Sequence, residues 1–128
     1  RNKIEEMGVI CQSENDEIET LSGGNQQKVV VGRWLMEPCS LLVLDEPFQG
    51  VDIKARRDIG TYIRKTSNIR ATIVLVAELD EALEIADRIL VMNEKSLVGE
   101  HVNDNVNINK LLGDIAGKNL MPEQISRQ

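Results

Sequence analysis

Apolar residues recur along the chain at two different periods, and the switches between them predict a run of helices and strands. After Ser22-Gly23-Gly24, the positions Val29, Val30, Trp34 and Leu35 repeat near helical spacing and stop before Pro38, which predicts a helix over 24–36. Leu41-Leu42-Val43-Leu44 is short and aliphatic and is closed by Asp45-Glu46-Pro47. It reads as a strand buried on both faces, the usual state of a strand in a parallel sheet. Gly50-Val51-Asp52 forms a turn whose aspartate can cap a helix reaching Lys65, with Ala55, Ile59, Tyr62 and Ile63 along one side. A second strand is expected from Ala71 to Val76, then a helical face of Leu79, Ala82, Leu83 and Ala86, then a third strand from Ile89 to Met92. Asn93-Glu94-Lys95-Ser96 predicts a hairpin turn into 97–100, and Ile108, Leu111, Leu112 and Ile115 predict a last amphipathic helix. At the ends, 1–8 reads as the close of a helix, 14–19 as an acidic surface loop and 118–128 as a tail. The order gives an α/β fold with parallel strands joined by right-handed crossovers.

Composition narrows this picture. With 128 residues the chain is one domain at most, and 41% apolar residues with only Trp34, Phe48 and Tyr62 as aromatics call for an aliphatic core. Its longest apolar run, Ile73 to Ala77, is five residues, far short of the roughly 18 to 20 that cross a bilayer. A net charge of −6 argues against nucleic acid as a partner, because binding to a phosphate backbone rests on excess Lys and Arg. Cys11 and Cys39 lack metal-ligand spacing and are expected to be reduced thiols. No basic segment followed by an apolar one opens the chain, and Arg1 in place of Met leads us to expect that residues upstream have been removed.

Two places could carry chemistry. In open α/β sheets ligands gather at the carboxyl ends of strands, where Asp45 and Glu46 would stand. Adjacent acids leaving a strand point in different directions, so one can hold Mg²⁺ while the other polarises an attacking water; the plainer reading is a solvated strand end. Ser22-Gly23-Gly24 puts a hydroxyl and open backbone N–H groups at a helix start, where a phosphate can be received. Alone, that sequence is an ordinary N-cap.

Together, Leu21-Ser22-Gly23-Gly24-Asn25-Gln26-Gln27-Lys28 resembles the ABC signature motif, and 41–46 resembles a Walker B strand with its catalytic glutamate. Gly32-Arg33-Trp34-Leu35 and the run from Glu46-Pro47 to Gly50-Val51-Asp52 are similar to the second nucleotide-binding domain of sugar-importer ABC ATPases (ribose, galactose and xylose type). The resemblance implies a partial RecA-like P-loop NTPase fold, a three-layer sandwich with parallel core strands and a terminal hairpin. Residues 1–20 would end a helical subdomain and its loop, and 21–117 would be the carboxyl-terminal part of the nucleotide-binding domain. It also implies ATP and Mg²⁺ as cofactors: Asp45 would hold the metal, Glu46 would act on the hydrolytic water, and Asp52 would be the D-loop aspartate between paired domains. Ser22, Gly23 and Gly24, with Gln26, would reach ATP bound to the opposite domain. The implied partners are a second nucleotide-binding domain, membrane permease subunits and, indirectly, a sugar-binding protein, with the chain on the inner face of the cell membrane.

Several positions depart from that pattern. Ala77 stands where many ABC ATPases place a switch histidine, and Phe48 and Gln49 replace smaller or basic residues. His101, the only histidine, is expected to be an incidental surface residue. No Gly-x-x-x-x-Gly-Lys loop occurs in the chain, so it is expected to be the carboxyl-terminal portion of a larger domain, inactive alone and with a sheet edge left open. The competing expectation is a noncatalytic module presenting Ser22 to Gly24 to ATP held by a partner. An ABC ATPase of DNA repair or translation fits the acidic charge poorly.

Overall fold

A computed structural model describes residues 2–118; the predicted tail from 119 onward lies outside them. The elements run α1 (Asn2–Glu6), a 3₁₀ turn (Ile18–Thr20), α2 (Gly23–Met36), β1 (Leu41–Asp45), α3 (Ile53–Lys65), β2 (Ala71–Leu75), α4 (Leu79–Ile85), β3 (Arg88–Asn93), β4 (Ser96–Val102) and α5 (Ile108–Ile115). They form two compact units, divided between Ile85 and Ala86. Among the described residues no helix is long and apolar enough to cross a membrane.

In the first unit β1 and β2 pair in parallel, Leu41 opposite Ala71 and Asp45 opposite Leu75. Their inward residues join Val31 and Leu35 of α2, Ile59, Tyr62 and Ile63 of α3, and Ile85 of α4 in one core with Met7 and Phe48. Such a core is aliphatic, as the composition required. Two expectations need correction. β1 is not buried on both faces: Leu42 and Leu44 point inward while Leu41 and Val43 remain more than half exposed, because the core residues of α2, α3 and α4 gather against the inward side of the strand. The buried stripe of α2 is also different, Lys28, Val31, Gly32 and Leu35, with Val30 and Trp34 outside. Hydrophobicity alone misplaced it, since a lysine and a glycine occupy positions where tertiary packing needs an ion-pair partner and close contact with Met7.

Local chemistry explains the element ends. Asp52 caps α3, its Oδ1 accepting from Ala55 N–H at 2.8 Å. α2 stops at the residue before Pro38, where helical backbone is disfavoured, and buried Arg70 donates to the Leu35 carbonyl (2.8 Å) that this ending leaves open.

In the second unit β3 pairs antiparallel with β4 through a two-residue turn, where Glu94 and Lys95 adopt positive φ of 46° and 66°. The third strand thus forms the hairpin expected from its turn at 93–96, and the parallel pairing is that of β1 with β2. Asn107 caps α5 by accepting from Lys110 N–H. His101 is not an incidental surface residue. It is 8% exposed, with Nε2 2.7 Å from Oδ2 of Asp114, which is likewise buried, so the pair fastens α5 to β4. A polar residue on the inward side of a strand is paired when buried, and in sequence its partner lies 13 residues away.

Candidate functional site

The carboxyl end of β1 delivers Asp45 to the surface, and the backbone then turns sharply. Glu46 N–H donates to the Leu75 carbonyl at 3.0 Å, one bond beyond the strand, while Glu46 itself sits at φ +46°. That left-handed conformation costs a non-glycine residue about 1–3 kcal/mol, and a following proline restricts it further. The turn closes with Gln49 N–H on the Glu46 carbonyl, Val51 N–H on the Phe48 carbonyl, and Gly50 at φ +71°. Buried Phe48 anchors it to the core, and the amide of Gln27 on α2 donates to the Pro47 carbonyl at 2.8 Å. Asp45 is thus exposed and Glu46 half-buried on a loop held at both ends.

At the start of α2, Ser22 is exposed and occupies the N-cap position, yet its side chain accepts no hydrogen bond from the helix backbone. The plainer alternative, a side-chain N-cap, is therefore not what Ser22 makes. Its Oγ instead accepts from Asn25 Nδ2 at 3.0 Å. Gly23 faces the Gly50 carbonyl, and a Cβ on Gly24 would lie 3.1 Å from Ala55 Cβ and 3.7 Å from Asp52 Oδ2. The glycine-opened helix start and the Gly50 to Asp52 turn therefore adjoin, and Gly24 has no room for a larger residue without displacing α3. Gln26 turns back, its Nε2 donating to the Leu21 carbonyl at 2.8 Å. Ala77, just past β2, is exposed and offers no hydrogen-bonding side chain.

Three polar residues escaped the sequence reading. Lys28 is buried, with Nζ 2.5 Å from Asp58 Oδ2 on α3 and 2.8 Å from the Gly8 carbonyl. Asn25, one helical turn earlier, also accepts from Ile10 N–H at 3.0 Å. Glu81 on α4 is only 12% exposed at its side chain. Burial pushes its carboxyl above the usual range; Arg56, 4.0 Å away, works against that rise, and Glu46 and Glu78 add to it. The available signal for Asn25 and Lys28 was their i, i+3 spacing on a helix that keeps polar residues on two sides.

The family model described as ABC transporter matches residues 2–49, which span Ser22 to Gly24 and both strand-end acids. The arabinose import ATP-binding protein AraG of Pseudomonas savastanoi pv. phaseolicola is 42% identical over 113 residues, 88% of this chain and 22% of that protein. The chain belongs to the ABC transporter ATPases. The ribose import ATP-binding protein RbsA of Clostridium tetani is 36% identical over 85% of the chain and 22% of its own length. High similarity to sugar-import ATP-binding proteins thus runs over most of this ABC ATPase sequence, which spans about a fifth of the curated relatives it matches. In fold, the ATP-binding cassette MJ1267 in its ADP conformation superposes with a TM-score of 0.71 at 21% identity, covering 93% of this chain and 45% of that one. The ABC cassette fold, a P-loop NTPase fold, accounts for the mixed α/β architecture with its parallel strands and antiparallel hairpin.

Proposed function

We propose that this chain is the carboxyl-terminal part of a nucleotide-binding domain, about 21–117, that binds and hydrolyses ATP in a sugar importer. The observation that carries the reading is Glu46: a carboxylate held in left-handed backbone at the end of a strand, on a loop pinned to α2 and to the core. Strained backbone at a strand's ligand-bearing end is a recurring feature of reacting groups. The donor set fits a hydrated magnesium ion with nucleotide, since Asp45 is an exposed hard-oxygen ligand. Mg²⁺, when bound, neutralises phosphate charge as it develops. Asp45 holds it, directly or through water, and Glu46 accepts the proton of the attacking water. Ser22, Gly23 and Gly24 present a hydroxyl and outward N–H groups to the γ-phosphate of ATP on a second nucleotide-binding domain, with Gln26 shaping that turn and Asp52 at the contact between domains.

The relatives named for arabinose and ribose import support sugar transport as the process, with permease subunits as membrane partners, a sugar-binding protein acting through them, and a cytoplasmic position. In the assembled transporter Glu46→Gln should keep nucleotide binding and slow hydrolysis by roughly 10² to 10⁴, the weight of one positioned general base. Unchanged turnover rejects the role.

A second reading, a noncatalytic module that only presents Ser22 to Gly24 to a partner's ATP, draws support from Ala77, which cannot bond a γ-phosphate through its side chain. Turnover of the assembled transporter separates the two, since a loss in Glu46→Gln contradicts the module; micromolar ATP affinity of the chain alone would contradict both the module and the partial domain.

A further inference from the structure

The hydrogen bonds around Asn25 have a direction that its position in the motif does not reveal. Ile10 N–H can only donate, so the Asn25 atom 3.0 Å from it must be the carbonyl Oδ1; the reversed amide would set two donors against each other. This fixes Nδ2 toward Ser22, where it can only donate, and Ser22 Oγ is therefore the acceptor of that 3.0 Å bond. A serine hydroxyl that accepts from its neighbour keeps its own proton free. Among the described residues the one side-chain hydrogen bond of Ser22 is the one its Oγ accepts from Asn25, so the hydroxyl proton is not spent on the helix start. The Ile10 amide is itself held in place: Val9 N–H donates to the Ile4 carbonyl at 2.9 Å, and buried Lys28 grips the Gly8 carbonyl at 2.8 Å. Asn25 and Lys28 are i and i+3 on α2, so one helix face pins the Gly8 to Ile10 segment at two points.

We propose that Asn25 is a positioning residue for phosphate contact: locked by the Ile10 amide, it donates to Ser22 Oγ and so commits the Ser22 hydroxyl to donate outward, to a phosphate oxygen. An anion needs a donor there. A side chain that accepted from Ser22 would draw the proton inward and present the phosphate with oxygen lone pairs. The proposal rests on the reading of Ser22 as a γ-phosphate ligand and adds the residue that sets its polarity.

Asn25→Asp is the discriminating change. It keeps an acceptor for Ile10 N–H and the shape of the side chain, but replaces the donor facing Ser22 with a second acceptor. ATP hydrolysis by the assembled transporter is measured for wild type, Ser22→Ala, Asn25→Asp and the double variant. The expected result is a loss of roughly tenfold or more in each single variant, the scale of one hydrogen bond to a charged group. The Asn25→Asp loss should then vanish on the Ser22→Ala background, because Asn25 acts through that hydroxyl. A loss that persists undiminished in the double variant reports charge repulsion or misfolding and overturns the proposal, as does full activity of Asn25→Asp beside an impaired Ser22→Ala. Full activity of Ser22→Ala overturns the underlying reading, and the proposal with it. As a check that does not depend on how Asn25→Asp folds, the Asn25 side-chain NH₂ signals of the unmodified chain should show one proton protected from solvent exchange. That protection should be lost in Ser22→Ala; an amide indifferent to Ser22 contradicts the assigned direction.

Discussion

Lys28 shows how a single residue can matter more for what it leaves behind than for what it contributes. Its ammonium is buried, whereas the carboxyl of its partner Asp58 is 35% exposed. Removing the carboxylate strands a desolvated cation on one carbonyl; removing the cation leaves an acid that water can serve. Asp58→Asn should therefore destabilise by roughly 2–3 kcal/mol, below the full range for a buried pair because Asp58 is partly solvated, and Lys28→Met by less than about 1.5 kcal/mol. Urea unfolding of both variants tests the order, and a costlier Lys28→Met would contradict it. Glu81 makes a pH prediction at the same scale. Its carboxyl is raised by burial above 4.5, so between that value and its folded value the native state holds more protons than the unfolded one. Stability then gains a component as pH falls through that window, and the component is lost again as pH rises. Glu81→Gln should remove it, flattening the stability curve from neutral pH toward 4.5; parallel curves for the two proteins would count against this account.

At the level of elements, α3 and α4 are joined by both charge and contact. Glu84 on α4 meets Arg56 Nε at 2.9 Å and Arg57 Nε at 3.2 Å, while its carbonyl accepts from Arg64 at 2.8 Å. Beneath these, Gly60 lets the helices approach: a Cβ there would lie 2.6 Å from Ile85 Cγ2. Alanine favours an isolated helix over glycine by about 1 kcal/mol, but forcing a buried branched side chain aside costs about 1–3 kcal/mol. We expect Gly60→Ala to be net destabilising, by roughly 1–2 kcal/mol, in thermal or urea unfolding; a neutral result would mean Ile85 moves freely. The positions of these elements were legible in sequence. α3 was readable down to its cap, Asp52, and its inward face, Ala55, Ile59, Tyr62 and Ile63, because an N-cap and a 3.6-residue stripe are local signals. α2 was readable as a helix but not in its orientation, because Lys28 is buried only by virtue of Asp58, 30 residues away.

At the scale of the whole molecule, the outer face of the β1–β2 pair is an unmet requirement. Leu41, Val43, Ile73 and Leu75 are 54%, 55%, 51% and 43% exposed and share one face by register. A contiguous apolar face on paired strands promotes association. The chain in isolation should show a weight-average mass that rises with concentration in sedimentation, and Val43→Lys with Ile73→Glu should suppress the rise. A concentration-independent monomer would count against it.

The candidate site divides along the same line between local and distant information. By itself the sequence determined the order of elements, the strand ending in Asp45 and Glu46, the glycines opening α2 and the likeness to ABC ATPases, since all of these rest on neighbouring residues and fixed spacings. Only the tertiary structure decided that Glu46 takes a left-handed backbone, that Gly24 lies against the Asp52 turn, that His101 is buried on Asp114 and that the Ile10 amide orients Asn25 to donate to Ser22. Each depends on a partner brought close by folding, and periodicity along a chain carries no record of which distant group will stand opposite a polar side chain.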